Sequence, residues 1–157
     1  MTFGKAPYTE ERYAGIFIPD AFFAGANNRK SIREGVSDYL PVGLSDTQAL
    51  YRSGVFKCDV ALIKVTKPDQ HGYVSLGVSV DITLAAVEMA KTVIAVVDER
   101  APRTLGDALI PYSKIDYAVM DNHPLMEIVN PPPTELDLAI GRNCAELIDN
   151  GACLQMG

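Results

Sequence analysis

Two short runs, residues 59–65 (DVALIKV) and 92–97 (TVIAVV), narrow the folds open to this chain more than any other feature. Each has the length of one strand and is too short for an ordinary helix. After Asp59, and apart from Lys64, both runs carry apolar, mostly β-branched side chains at odd and even positions alike. Successive side chains point to opposite faces of a strand, so a run apolar in both registers asks for cover on both sides. That pattern belongs to a parallel sheet buried between helices; an antiparallel sheet with one wet face alternates instead. Residues 115–120 (IDYAVM) read as a further strand and residues 73–76 as a short one. Residues 17–24, rich in Phe and Ile, form another candidate, with Pro19 confining its regular part to the later positions.

The segments between these runs carry helix signals. Asn27 or Asn28 can cap a helix reaching Glu34, with Gly35 where a helix stop is expected. Ser45 and Gln48 have capping-box spacing for a helix to about Ser53, ended by Gly54. Asp81 can cap a helix through Met89, with Lys91 at its negative end. Residues 68–72 (PDQHG) compose a tight turn. Pro131, Pro132 and Pro133 make a stiff, extended linker, after which Thr134 caps an amphipathic helix whose apolar stripe is Leu136, Ile140, Cys144 and Leu147. Asn150 and Gly151 stop that helix, and residues 152–156 read as a strand. Helices alternating with strands of this kind predict an α/β fold: an open, mostly parallel sheet with helices on both faces.

Several function classes are excluded at this level. Fourteen Lys and Arg scattered among twenty Asp and Glu give a net charge of -6, which offers no patch for nucleic acid or an anionic membrane. No apolar stretch approaches the ~18 residues of a membrane span, and no charged-then-apolar leader opens the chain, so the reading is cytoplasmic. Cys58, Cys144 and Cys153 are odd in number and irregular in spacing, and with only His71 and His123 available no metal site can be written. No glycine-rich dinucleotide or triphosphate loop and no nucleophile elbow occurs.

A few residues remain as candidates. His71 stands just after a strand, at the edge where open α/β sheets place their ligand crevices. An imidazole there can donate to a carboxylate or thioester oxygen; the plainer reading is that His71-Gly72 only turns the chain. Asn27, Asn28 and Arg29 open a helix after a strand, where free amides and a guanidinium can cradle an anion, or merely cap the helix. His123, before Pro124, reads as a loop residue.

Longer runs carry a resemblance. Phe22-Phe23-Ala24-Gly25 to Arg29, Asp59 to Ile63, and Pro68-Asp69-Gln70-His71-Gly72-Tyr73-Val74-Ser75-Leu76-Gly77-Val78-Ser79 resemble the acetyl-CoA hydrolase/transferase family. Lys91 to Ala95, Pro102-Arg103-Thr104-Leu105-Gly106-Asp107 and Ile140-Gly141-Arg142-Asn143 continue the likeness in the same order. The resemblance implies a protein of two similar α/β halves with the active site between them, well over twice this length. Residues 1–130 then form the first half without its first helix and strand, 131–133 the linker, and 134–157 the opening of the second half. It also implies coenzyme A as substrate and no metal. CoA passes between an acyl-CoA and a short-chain carboxylate such as acetate, through a mixed anhydride and a glutamyl-CoA thioester. The family's oxyanion-holding Gln and Gly match Gln155 and Gly157, and the nucleophilic glutamate falls beyond Gly157, in the missing second half. His71 and Ser75 become candidate cleft residues beside Asn27 and Arg29, and a homo-oligomer is expected.

Three readings follow: the N-terminal domain of a CoA-transferase, inactive by itself; a non-catalytic binding or assembly module; or a fragment complemented by another polypeptide. Exposed strand edges in an incomplete sheet favour pairing, with residues 134–157 docking in place of the first helix and strand, in one chain or swapped between two.

Overall fold

The computed structural model describes residues 7–125, 127 and 129–155. They belong to two compact units, 1–126 and 127–157. In chain order the first unit holds β1 (Asp20–Ala21), α1 (Arg29–Arg33), β2 (Asp38–Tyr39), α2 (Leu44–Arg52), β3 (Val60–Val65), β4 (Tyr73–Ser75), α3 (Thr83–Met89), β5 (Thr92–Val97), β6 (Leu109–Pro111) and β7 (Tyr117–Met120); the second holds α4 (Glu135–Ala145).

The centre of the first unit is a parallel sheet in the order β3-β5-β7. Its register aligns Ala61 with Val93, Ile63 with Ala95 and Val65 with Val97, so these six side chains share one face. All six are buried, and Val74, Leu76, Val87 and Ile110 join them in one core cluster. The cluster therefore lies between the sheet on one side and α3 with the antiparallel β4-β6 pair on the other. Parallel pairing of β3 with β5 needs a crossover, and residues 66–91 supply it through β4 and α3. Helix α2 packs on α3, where Arg52 Nε pairs with Glu88 at 2.7 Å.

The α/β class and the parallel sheet stand as expected, and the two faces of the sheet differ within the first unit. The opposite face is formed by Val60, Leu62 and Lys64 of β3, Thr92, Ile94 and Val96 of β5, and Tyr117 and Val119 of β7. Leu62 is 78% exposed and Tyr117 64%, while Ile94 and Val96 are half-buried. Helix α3 packs against the other, buried face.

Other differences are local. Residues 17–24 give only the two-residue β1, paired in parallel with β2. The Ser45–Gln48 capping box does not form: the N-cap of α2 is Gly43, two residues earlier, and Gln48 instead donates to the Asp81 carbonyl at 2.6 Å and accepts from Arg52 at 3.0 Å. Tertiary partners outcompete the local bond. Asn28 sits at the N-cap of α1 without capping it; its side-chain amide donates back to the Phe23 carbonyl at 3.0 Å. Asp81 accepts from the Ile82 amide and the Thr83 hydroxyl just ahead of α3, and Lys91 pairs with Asp59 at 2.7 Å across the sheet's N-terminal edge. Strand β6 has no counterpart among the elements expected from the sequence; with three residues, one of them Pro, it lacks a readable period.

In the second unit the capping box at Thr134 is reciprocal: Thr134 Oγ1 accepts from the Asp137 amide, and Asp137 returns the bond to the Thr134 amide at 2.8 Å. Leu136, Ile140, Cys144 and Leu147 are all exposed. Residues 152–155 are not a strand, and Met156 of that expected strand lies outside the described residues.

Candidate functional site

The turn joining β3 to β4 is built around one carboxylate. Asp69 Oδ1 accepts from the His71 and Tyr73 amides, both at 2.9 Å, while its own amide donates to the Tyr73 carbonyl at 2.9 Å. Its second oxygen, Oδ2, receives Arg103 Nη2 at 2.5 Å. These amide bonds, from Tyr73 and His71, together with the Arg103 charge, hold the Asp69 carboxyl below its usual value. The chain closes at Gly72, whose φ of 77° is the left-handed conformation that only glycine takes at low cost. Gln70 and His71 are left at the tip, exposed, with Gln70 Nε2 3.1 Å from His71 Nε2.

Ser75 lies four residues on, in a different environment. It is fully buried, and its Oγ is saturated: it accepts from the Gly77 amide at 3.1 Å and the Thr104 amide at 3.0 Å, and donates toward Thr104 at 2.8 Å to the carbonyl. Thr104 Oγ1 donates to the Gly77 carbonyl at 2.6 Å, and Thr66 Oγ1 accepts from the Ser75 amide at 2.9 Å. Residues 102–104 are thereby laced to the strand behind the turn. The sequence places His71 and Ser75 on one segment; the structure keeps them there, with the imidazole outward and the hydroxyl inward.

Two further carboxylates mark the C-terminal edge of the parallel sheet, where such folds bind ligands. Asp98, directly after β5, is fully buried; Lys64 Nζ lies 2.7 Å from Oδ2, and the Arg100 amide donates to Oδ1 at 2.9 Å. Both contacts, Lys64 first, lower its pKa. Asp121, directly after β7, bonds the His123 ring and amide, which lower its pKa in turn. Among the described residues no group of three or more His, Cys, Asp and Glu is gathered so as to hold a metal ion, and no helix is long and apolar enough to cross a membrane.

The other candidates lie on separate segments. Arg29 Nε donates to the Ala24 carbonyl at 3.1 Å, so part of the guanidinium holds the turn before α1. Asn27 is half-buried in the same turn. Gln155 is exposed, in the second unit; Gly157 lies outside the described residues. At the opposite, N-terminal edge of the sheet, a concavity of about 140 Å³ is lined by Phe56, Cys58, Asp59, Met89 and Lys91. That is well below the roughly 300 Å³ where small-molecule pockets begin. Burial and the neighbouring Asp59 push the Cys58 thiol up, away from reactivity.

Sequence reasoning passed over Asp69, Arg103, Thr104 and Asp98 as individuals. An Asp three residues ahead of a turn glycine is a readable signal for Asp69. The partners some thirty residues away have no local signature.

Comparison with known proteins agrees with this fold. Residues 1–130 match the acetyl-CoA hydrolase/transferase N-terminal domain. The chain is 44% identical over all 157 residues to the 4-hydroxybutyrate coenzyme A transferase of Clostridium kluyveri, of which it covers 37%. It is 40% identical over 154 residues, 98% of the chain, to a succinyl-CoA:acetate/propanoyl-CoA:succinate CoA transferase of Fasciola hepatica, covering 32% of that protein. The crystal structure of RipA from Yersinia pestis superposes with a TM-score of 0.80 at 30% identity, over 88% of this chain and 34% of the other. The chain thus spans about a third of the length of the relatives it matches.

Proposed function

Since this chain belongs to the acetyl-CoA hydrolase/transferase family, we propose that it supplies the N-terminal part of an acyl-CoA:carboxylate CoA-transferase. The observation that carries this is the alignment of the whole chain, at 44% identity, with 37% of a CoA transferase. In the proposed reaction a glutamate carboxylate from the remaining two thirds of the family fold attacks the thioester carbonyl and expels CoA thiolate. The thiolate then attacks the glutamyl carbonyl of the mixed anhydride and releases the first carboxylate. An acceptor such as acetate reverses the two steps and leaves as its CoA ester.

This chain's part is to bind and polarise. His71, exposed at the tip of a braced turn, is assigned to donate to a carboxylate or thioester oxygen. Gln155 and Gly157 are assigned to the oxyanion formed at the attacked carbonyl, and Asn27 and Arg29 to an anionic portion of CoA or the carboxylate. Asp59, Asp69, Asp98, Asp121 and Asp137 are each held below their usual pKa by a bonded partner. Carboxylates so engaged are poor nucleophiles, which is consistent with a nucleophile other than these five.

The test is a chimera in which these 157 residues replace the matching third of the Clostridium kluyveri relative. Exchange of CoA between butyryl-CoA and labelled acetate is expected from the chimera and not from the chain alone. A folded chimera without exchange, or turnover by the chain alone, overturns the reading. A second reading, an assembly module, is favoured by the exposed apolar face at Leu62, Tyr117 and Val119; it predicts concentration-dependent self-association in sedimentation velocity.

A further inference from the structure

The geometry points to Arg103 as a positioning residue for His71, acting through the Asp69 carboxylate and itself aimed by the Ser75–Thr104 knot. The chain of contacts is continuous. Ser75 fixes Thr104 through its amide, carbonyl and hydroxyl. Arg103, the preceding residue, then reaches the turn from outside, Nη2 on Asp69 Oδ2 at 2.5 Å and Nη1 on the Tyr73 carbonyl at 3.4 Å. Asp69 in turn holds the amides of His71 and Tyr73 through Oδ1. One carboxylate therefore has one oxygen committed to the turn and the other to a cation some thirty residues distant. The guanidinium fork suits this role because it spans two acceptors with fixed geometry, which an ammonium cannot copy.

The arrangement serves the proposed function in a specific way. An exposed imidazole on an unbraced turn samples many orientations, and a misplaced donor loses most of its effect on a reacting carbonyl. Arg103 also neutralises Asp69, the charged group that interacts with His71 across the turn; the other side chain at the tip, Gln70, is neutral. The positioning claim rests on the CoA-transferase reading only for what His71 is positioned to do.

The experiment uses the 157-residue chain, without acyl-CoA, in the Arg103→Met, Arg103→Lys and Asp69→Asn variants. Hydrogen exchange and the His71 ring-proton NMR signals are read together with thermal melting. In Arg103→Met the His71 and Tyr73 amides are expected to exchange at least tenfold faster, and the ring signals to move toward those of an unstructured peptide, with melting nearly unchanged. Arg103→Lys should recover the exchange rates only in part, since it returns the charge without the fork. Asp69→Asn should speed exchange of the same two amides, having weakened their shared acceptor. Unaltered exchange and ring signals in Arg103→Met overturn the proposal, as does identical behaviour of the Met and Lys variants. An inactive chimera with these shifts intact would remove the CoA-transferase reading alone; unaltered shifts with an active chimera would remove the positioning claim alone.

Discussion

Replacing Ser75 by Ala is the sharpest test of how the turn is held. The substitution removes one oxygen from a fully buried position and adds no bulk, so packing changes little. What changes is hydrogen bonding. The Gly77 amide, 3.1 Å from Oγ, and the Thr104 amide, 3.0 Å from it, both lose their acceptor. A buried donor left unpaired costs about 1–3 kcal/mol. Gly77 is buried and sits near the top of that range, whereas Thr104 is half-buried and water can relieve part of its loss. The sum is about 2–4 kcal/mol, a large share of the roughly 5–15 kcal/mol by which a domain is stable. With a urea m value of about 2 kcal/mol/M, the midpoint should fall by about 1–2 M at unchanged slope. Equilibrium urea unfolding followed by circular dichroism measures this directly. A loss below about 0.5 kcal/mol, the scale of an ordinary surface change, would mean that Ser75 does not bear the knot, and the aiming of Arg103 would need another cause.

Three further outcomes are expected. Leu62→Ser, on the exposed sheet face, should change unfolding free energy by no more than about 0.5 kcal/mol while weakening any self-association seen by sedimentation; a large loss of stability would show that face to be covered in the monomer. Asp98, held below its ordinary value of 3.8 by Lys64 and the Arg100 amide, contributes stability that is complete at neutral pH and is lost as pH falls from that value through the lower folded one. Asp98→Asn should therefore flatten acid unfolding in that window, and an unchanged acid limb would contradict the ion pair. Thr134→Ala should cost α4 about 1 kcal/mol, visible as faster amide exchange confined to its first turn; no change there would refute the reciprocal cap.

The parts of this protein that could be read from sequence are those whose physics is local. Residues 92–97 became β5 to the residue because six consecutive uncharged, mostly branched side chains leave few alternatives. The Thr134 cap formed because both its partners lie within one turn of helix. The Ser45–Gln48 box has the same spacing and failed, since Gln48 found the Asp81 carbonyl thirty-three residues away. The candidate site divides along the same line. The turn at 68–72 announces itself by composition, yet what makes it more than a turn is Arg103, and no window of sequence around His71 contains it. The uncovered sheet face is the informative case between these. Val60, Leu62, Tyr117 and Val119 suit a dry environment and are exposed. Apolar area in water costs roughly 25 cal/mol per Å², so this face is the part of the sheet with most to gain from contact with another surface. A sequence records the environment a residue is suited to, and a structure the one it has. Along β3 and β7 the two differ over a whole face, and the Leu62→Ser variant measures what that difference costs.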